Sequence, residues 1–204
     1  MNPLPIPQAM LRETASQTAG PYVHIGLAPQ QAGFDVFQSC LGSSLLADGL
    51  GYQPIVLHGQ VRDGAGAPVR DALLEIWQAD AHGRYAGADA GGFRGWARAC
   101  TDFDSGRYRF DTIKPGRVPG RDGHWMAPHI NVWLVARGIN LGLHTRIYFA
   151  DEAEANAADP VLNLIEWDAR RQTLLARPDT IGDGLSYRFD IHLQGERETV
   201  FFEY

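Results

Sequence analysis

From residue 54 onward the chain alternates apolar and polar side chains in short runs. Ile55, Leu57, Gly59 and Val61 interleave with Val56, His58 and Gln60, the period-two pattern of a strand with one buried face. The run stops at Asp63-Gly64-Ala65-Gly66, whose residues tolerate the positive φ of a turn. Ala72 to Ala79 predicts a second strand and Tyr108 to Ile113 a third. His129 to Arg137 and Leu143 to Phe149 flank Gly138-Ile139-Asn140, which predicts a hairpin. Leu185 to Leu193 and Thr199 to Phe202 complete the set. About seven short strands punctuated by glycine, with almost no helical periodicity, predict an all-β fold and specifically a β-sandwich.

One or two short helices interrupt that pattern. Asp151-Glu152-Ala153-Glu154-Ala155-Asn156-Ala157 places acids at the positive end of a helix dipole, followed by good helix formers, and Pro160 discourages continuation. A second helix is expected between Leu162 and Leu175, where Trp167-Asp168 weakens the pattern. Prolines at 3, 5 and 7 fix φ and remove donors, so the first dozen residues are expected to be an extended arm that takes its shape from another surface. A chain of 204 residues suits one domain, with 1–53 as arm and irregular segment contacting a partner chain and 54–204 as sandwich core.

Composition narrows the function classes. The formal charge is −6, Lys114 is the only lysine, and Arg170-Arg171 is an isolated doublet, so no basic surface for nucleic acid is expected. An acidic protein that takes an anionic substrate must place positive charge locally, which makes single arginines worth weighing. Cys40 and Cys100 have no second cysteine or histidine at a zinc-like spacing and read as reduced thiols. No apolar run reaches the length of a membrane span, and Met1 to Pro7 lacks the positive flank and apolar run of a signal peptide, so a cytoplasmic address is expected.

The candidate chemistry sits in four short pieces: Asp80-Ala81-His82-Gly83-Arg84-Tyr85, the run Lys114-Pro115-Gly116 with Val118-Pro119, Pro128-His129-Ile130-Asn131, and Arg146-Ile147-Tyr148-Phe149. With two longer blocks, Glu13 to Gly26 (ETASQTAGPYVHIG) and Gly195 to Phe202 (GERETVFF), they resemble the intradiol ring-cleavage dioxygenases; only about residues 28 to 53 are hard to place. The resemblance implies a sandwich of that family's type. It also implies a non-haem ferric iron held by two tyrosines and two histidines. Tyr85 matches the first tyrosine and His129 the first histidine, whereas Val118 stands where the second tyrosine belongs and Asn131 where the second histidine belongs. Met126 occupies the place of an arginine that stabilises the reacting ring. Ferric iron is a hard cation that favours phenolate oxygens, so valine at 118 removes charge compensation together with a bond. The strand 129–131 carries a further expectation, that a twist or bulge is needed to aim both positions at one metal.

Within the family the chain resembles the α-type member of a two-chain enzyme. That resemblance implies an iron-holding β-type partner in a hetero-oligomer of αβ units, a small aromatic substrate and O2, and no metal on this chain. It further implies that Thr18, Gly20 and Pro21 reach across the interface to wall the partner's pocket, and that Arg137 lies at the same pocket, pairing with an aromatic carboxylate or holding the wall. Taken as residues alone, Thr18 to Pro21 reads equally as a plain turn and Arg137 as an edge charge that discourages strand addition. Tyr85 then packs a loop, and His129 is a buried neutral histidine. His144 and His192 are core or interface histidines. Two other readings stay open: a non-catalytic sandwich acting as scaffold or binding protein, and a homo-oligomer whose metal site is rebuilt with His124.

Overall fold

The computed structural model describes residues 15, 17–20, 22–36, 42–47, 49, 51–87, 93–140, 142–181 and 184–203. Its strands are β1 (Pro54–Arg62), β2 (Leu73–Gln78), β3 (Trp96–Cys100), β4 (Arg107–Ile113), β5 (Val118–Pro119), β6 (Trp125–Met126), β7 (His129–Val135), β8 (Leu143–Phe149), β9 (Leu175–Ile181), β10 (Gly184–Arg188) and β11 (Ile191–His192). Three short helices accompany them, α1 (Val23–Leu27), α2 (Ala153–Ala157) and α3 (Asp168–Arg171).

The strands run β11-β1-β10-β9-β8-β7-β2-β3, with β4 paired to β1. β9 serves both halves: its first residues pair with β8 and the rest with β10. The sheet thereby folds over itself as a sandwich. Leu57, Phe110 and Tyr187 from one half meet Ile76, Val132, Ile147 and Phe149 from the other in one continuous buried cluster. Gln78 bridges the halves from inside that cluster. Its amide donates to the Ile113 carbonyl at 3.0 Å, and its carbonyl accepts from the Thr112 hydroxyl at 2.7 Å. With both ends of the amide paired, the cost of burying it is offset.

Most predicted strands are present, with corrections that have physical causes. β3 escaped the apolar pattern because its core-facing side chains are only Ala97 and Ala99. β9 contains Pro178 and is mostly exposed; the proline is tolerated because pairing with β8 ends at Ala176. The expected 162–175 helix is broken into a 3-10 turn at Leu162–Leu164, α3, and a second 3-10 turn at Gln172–Leu174, after which the chain enters β9. Residues 199–202 form no strand beyond a single bridge from Phe202 to His144. Within the 1–53 segment, Val23–Leu27 is a helical turn, and Leu45 enters the core beside β4. Residues 1–14, Pro21 and Cys40 lie outside the described residues. Burial pushes the Cys100 thiol up to about 11, consistent with an unreactive reduced cysteine. Among the described residues no helix is long and apolar enough to cross a membrane.

Candidate functional site: a tyrosine–histidine pair and an arginine latch

Tyr85 is presented by the loop that follows β2, and Asp80 builds that loop. Its fully buried carboxylate accepts from the His82 and Arg84 amides, each at 2.9 Å, from Arg84 Nε at 2.9 Å and from the Tyr52 hydroxyl at 3.2 Å. These donors hold the Asp80 carboxyl below its usual range against the opposing effect of its burial. Gly83 takes φ +77° and packs so closely that a Cβ there would lie 1.9 Å from the Arg117 carbonyl oxygen. The Tyr85 loop is therefore keyed to the strand that carries Val118.

Position 129 and position 131 both face outward from β7, as residues two apart on a strand must. No bulge is needed, which corrects the expectation that one would be. His129 is buried and its Nδ1 lies 2.8 Å from the Ala127 carbonyl, so Nδ1 carries the proton and Nε2 the lone pair. Nε2 in turn faces the Tyr85 hydroxyl at 3.5 Å. Burial first, and the positive Arg146 second, push His129 down to about 4, so it is neutral at neutral pH. Trp77 stacks on the Tyr85 ring at 5.9 Å between centroids.

The other two positions supply neither a phenolate nor an imidazole to a metal. Val118 is buried and pairs with Met126 across β5 and β6. The Asn131 amide donates to the Trp77 carbonyl at 3.3 Å. His124 is exposed, and among the described residues no group of three or more His, Cys, Asp or Glu side chains could hold a metal ion. Two donors that face each other do not fit the four-ligand ferric centre the resemblance implies.

Sequence reasoning missed the support beneath His129. Asp159, fully buried, accepts from the Ala127 amide at 2.8 Å, from the Tyr148 hydroxyl at 3.1 Å, and from the Val161 and Leu162 amides at 2.9 and 2.7 Å. It ties the approach to β7 to the chain following α2. An Asp-Pro-Val-Leu sequence after a helix was the available signal, since aspartate commonly accepts from the amides that follow it.

Thr18 and Arg137 form a second cluster, with Arg137 lying just past the end of β7 opposite to His129. The Thr18 hydroxyl accepts from the Gly138 amide at 2.9 Å and lies 3.4 Å from the Ala136 carbonyl, so it grips the backbone on both sides of Arg137. Arg137 is ion-paired with Asp71, yet its side chain remains 63% exposed. Gly20 is exposed, and a Cβ there would meet nothing within 4 Å. Thus the structure brings Thr18 and Arg137 together and keeps them apart from Tyr85 and His129.

The sandwich and the ligand positions on its outer face define a class. Residues 45–195 match the family described as Dioxygenase, and the chain belongs to that family, the intradiol ring-cleavage dioxygenases. It is 51% identical over 201 residues to the protocatechuate 3,4-dioxygenase alpha chain of Pseudomonas putida, covering 98% of this chain and 100% of that one. The protocatechuate 3,4-dioxygenase beta chain of Burkholderia cepacia is 39% identical over 159 residues, 71% of this chain and 66% of that one. Among solved structures, the dioxygenase domain of a dioxygenase carbohydrate-binding protein fusion from Streptomyces sp. SirexAA-E superposes with a TM-score of 0.55 at 28% identity, covering 78% of this chain and 88% of that domain.

Proposed function

We propose that this chain is the α-type subunit of a protocatechuate 3,4-dioxygenase, an oxidoreductase that cleaves 3,4-dihydroxybenzoate with O2 between its hydroxylated carbons to give 3-carboxy-cis,cis-muconate. The observation that carries the reading is Val118 and Asn131 at two ligand positions of a chain that matches an alpha chain over its whole length. The non-haem ferric iron belongs to a β-type partner in a cytoplasmic hetero-oligomer of αβ units, and this chain binds none itself.

Its own contribution is to the wall of the partner's pocket. Arg137 supplies positive charge from a chain of net charge −6, fixed by Asp71 on its side chain and by Thr18 on its backbone. A planar guanidinium pairs with a carboxylate in two parallel hydrogen bonds, which suits the benzoate group of the substrate. A Cβ at Gly20 would meet nothing within 4 Å among the described residues, so a glycine there leaves room for a close approach from outside. By sequence Gly20 is followed by Pro21, a residue type whose ring fixes its own φ.

Co-expression with a β-type chain, followed by iron analysis and oxygen uptake on 3,4-dihydroxybenzoate, tests the reading. The complex should hold iron and consume oxygen, and the isolated chain should lack the red-brown absorption of tyrosinate bound to ferric iron. Stoichiometric iron with that band in the isolated chain would overturn it.

A further inference from the structure

Four basic side chains line up across one half of the sandwich. Arg109 on β4 is in register with His58 on β1, His58 with Arg188 on β10, and Arg188 with Arg177 on β9. Like charges directly opposite one another on a sheet repel, and most of this row is neutralised locally. Arg109 pairs with Asp111 at 2.7 Å and Arg188 with Asp190 at 2.7 Å, while His58, whose burial favours the neutral form, lies 3.3 Å from Asp179. Arg177 ends the row, and among the described residues it is ion-paired with none.

Beside Arg177 lies a cavity of about 540 Å³ lined by Arg177, Arg188, Arg197, His192, Asp190 and Thr199. Arg197 likewise has no ion pair among the described residues. Three guanidinium groups and one carboxylate give this cavity a positive excess on a chain whose net charge is −6. The excess is felt inside it: His192 is pushed down by its burial first and by Arg197 second. Such a concentration complements an anion, and forked N–H groups match the oxygens of carboxylate or phosphate.

We infer that this cavity is a binding site for a small polyanion bearing carboxylate or phosphate groups, distinct from the Arg137 cluster, with Arg177 and Arg197 as its principal contacts. Both residues are exposed, so neither is needed for packing. The volume accommodates a compact molecule of the size of citrate.

The test is calorimetric titration of the full-length protein as purified, with citrate and with inorganic phosphate, at ionic strength held constant with sodium chloride. Saturable binding of either is expected, and which of the two saturates identifies the anion chemistry. The double variant R177Q/R197Q should weaken it about a hundredfold, roughly tenfold per lost charge-assisted contact. R177K/R197K, which keeps the charges but loses the fork, should weaken it by less. Without anion the R177Q variant should melt no lower than the parent, since Arg177 is exposed and has no ion pair among the described residues, and turnover of the complex with a β-type chain should be unchanged. Absence of saturable binding by both anions, or binding that the double variant leaves intact, would overturn the inference.

Discussion

The Tyr85 hydroxyl and His129 Nε2 stand 3.5 Å apart, each occupying the side of the other that a bound metal would take. The relationship is held from behind. Ala127 fixes the imidazole tautomer through Nδ1, and Asp159 fixes Ala127 through its amide. The result is a buried, neutral histidine on a strand end facing a half-buried tyrosine, held in place by contacts within the chain.

That burial makes His129 a pH-dependent element. Its folded value of about 4 lies below the ordinary histidine value, so the stabilisation is complete above about pH 6.5 and is lost as pH falls from there toward 4. The loss for this one group is of order 3 kcal/mol. His58 and His192 are also pushed down, chiefly by burial, and act in the same direction. Thermal unfolding at pH 7.5 and 4.5 should show a smaller acid-induced drop in Tm for His129→Asn than for the parent. Equal drops would assign the effect to other groups.

Asp159 offers a sharper stability test. Asp159→Ala leaves the Tyr148 hydroxyl and three amides buried without an acceptor, and each such group costs about 1 to 3 kcal/mol. A loss exceeding about 3 kcal/mol is expected, read as a collapse in soluble yield or a large fall in urea midpoint. Asp159→Asn keeps one acceptor oxygen and should fall between the two. A parent-like midpoint for the alanine variant would mean that water replaces the carboxylate.

Arg137 is where the proposed chemistry is most exposed to test. In the assembled complex, Arg137→Ala should leave iron content unchanged while lowering kcat/KM for 3,4-dihydroxybenzoate by about ten- to more than a hundredfold, the worth of one charge-assisted contact of about 1.5 to 3 kcal/mol. Catechol lacks the carboxylate and should be much less affected. Equal losses on both substrates would reduce Arg137 to a support of the wall, and no loss on either would leave it an edge charge. Thr18→Val should reproduce part of the effect, because it releases the Gly138 amide beside Arg137.

The sequence made the sandwich legible where side chains alternate cleanly, as in β1, β4 and β8. It failed where the inward residues are small, as with Ala97 and Ala99, or where a proline sits inside a strand, as at Pro178. At the candidate site the ligand-position residues were legible one by one. Their grouping was not, because nothing local says that Thr18 closes on Gly138 across 120 positions or that Asp71 meets Arg137. Asp159 was legible only in its local half: the Val161 and Leu162 amides follow it directly, whereas Ala127 and Tyr148 come from distant stretches of chain.

Two glycines separate what the chain needs for itself from what it offers a partner. At Gly83 a methyl group would strike the Arg117 carbonyl at 1.9 Å, and φ is +77°. Gly83→Ala should therefore cost more than about 2 kcal/mol in the isolated chain, loosening the Tyr85 loop whether or not a partner is present. At Gly20 a methyl group meets nothing within 4 Å, and φ is not in the left-handed region. Gly20→Ala should leave the melting temperature of the isolated chain unchanged or slightly raised, since it removes freedom from the unfolded chain. In the complex the same substitution should raise KM or weaken assembly, because the space around Gly20 is where the proposed neighbour comes. Measuring both variants, alone and with a β-type chain, gives a crossed result. If Gly20→Ala is silent in both settings, the loop from Thr18 to Pro21 is a plain turn and its place in the shared pocket is lost.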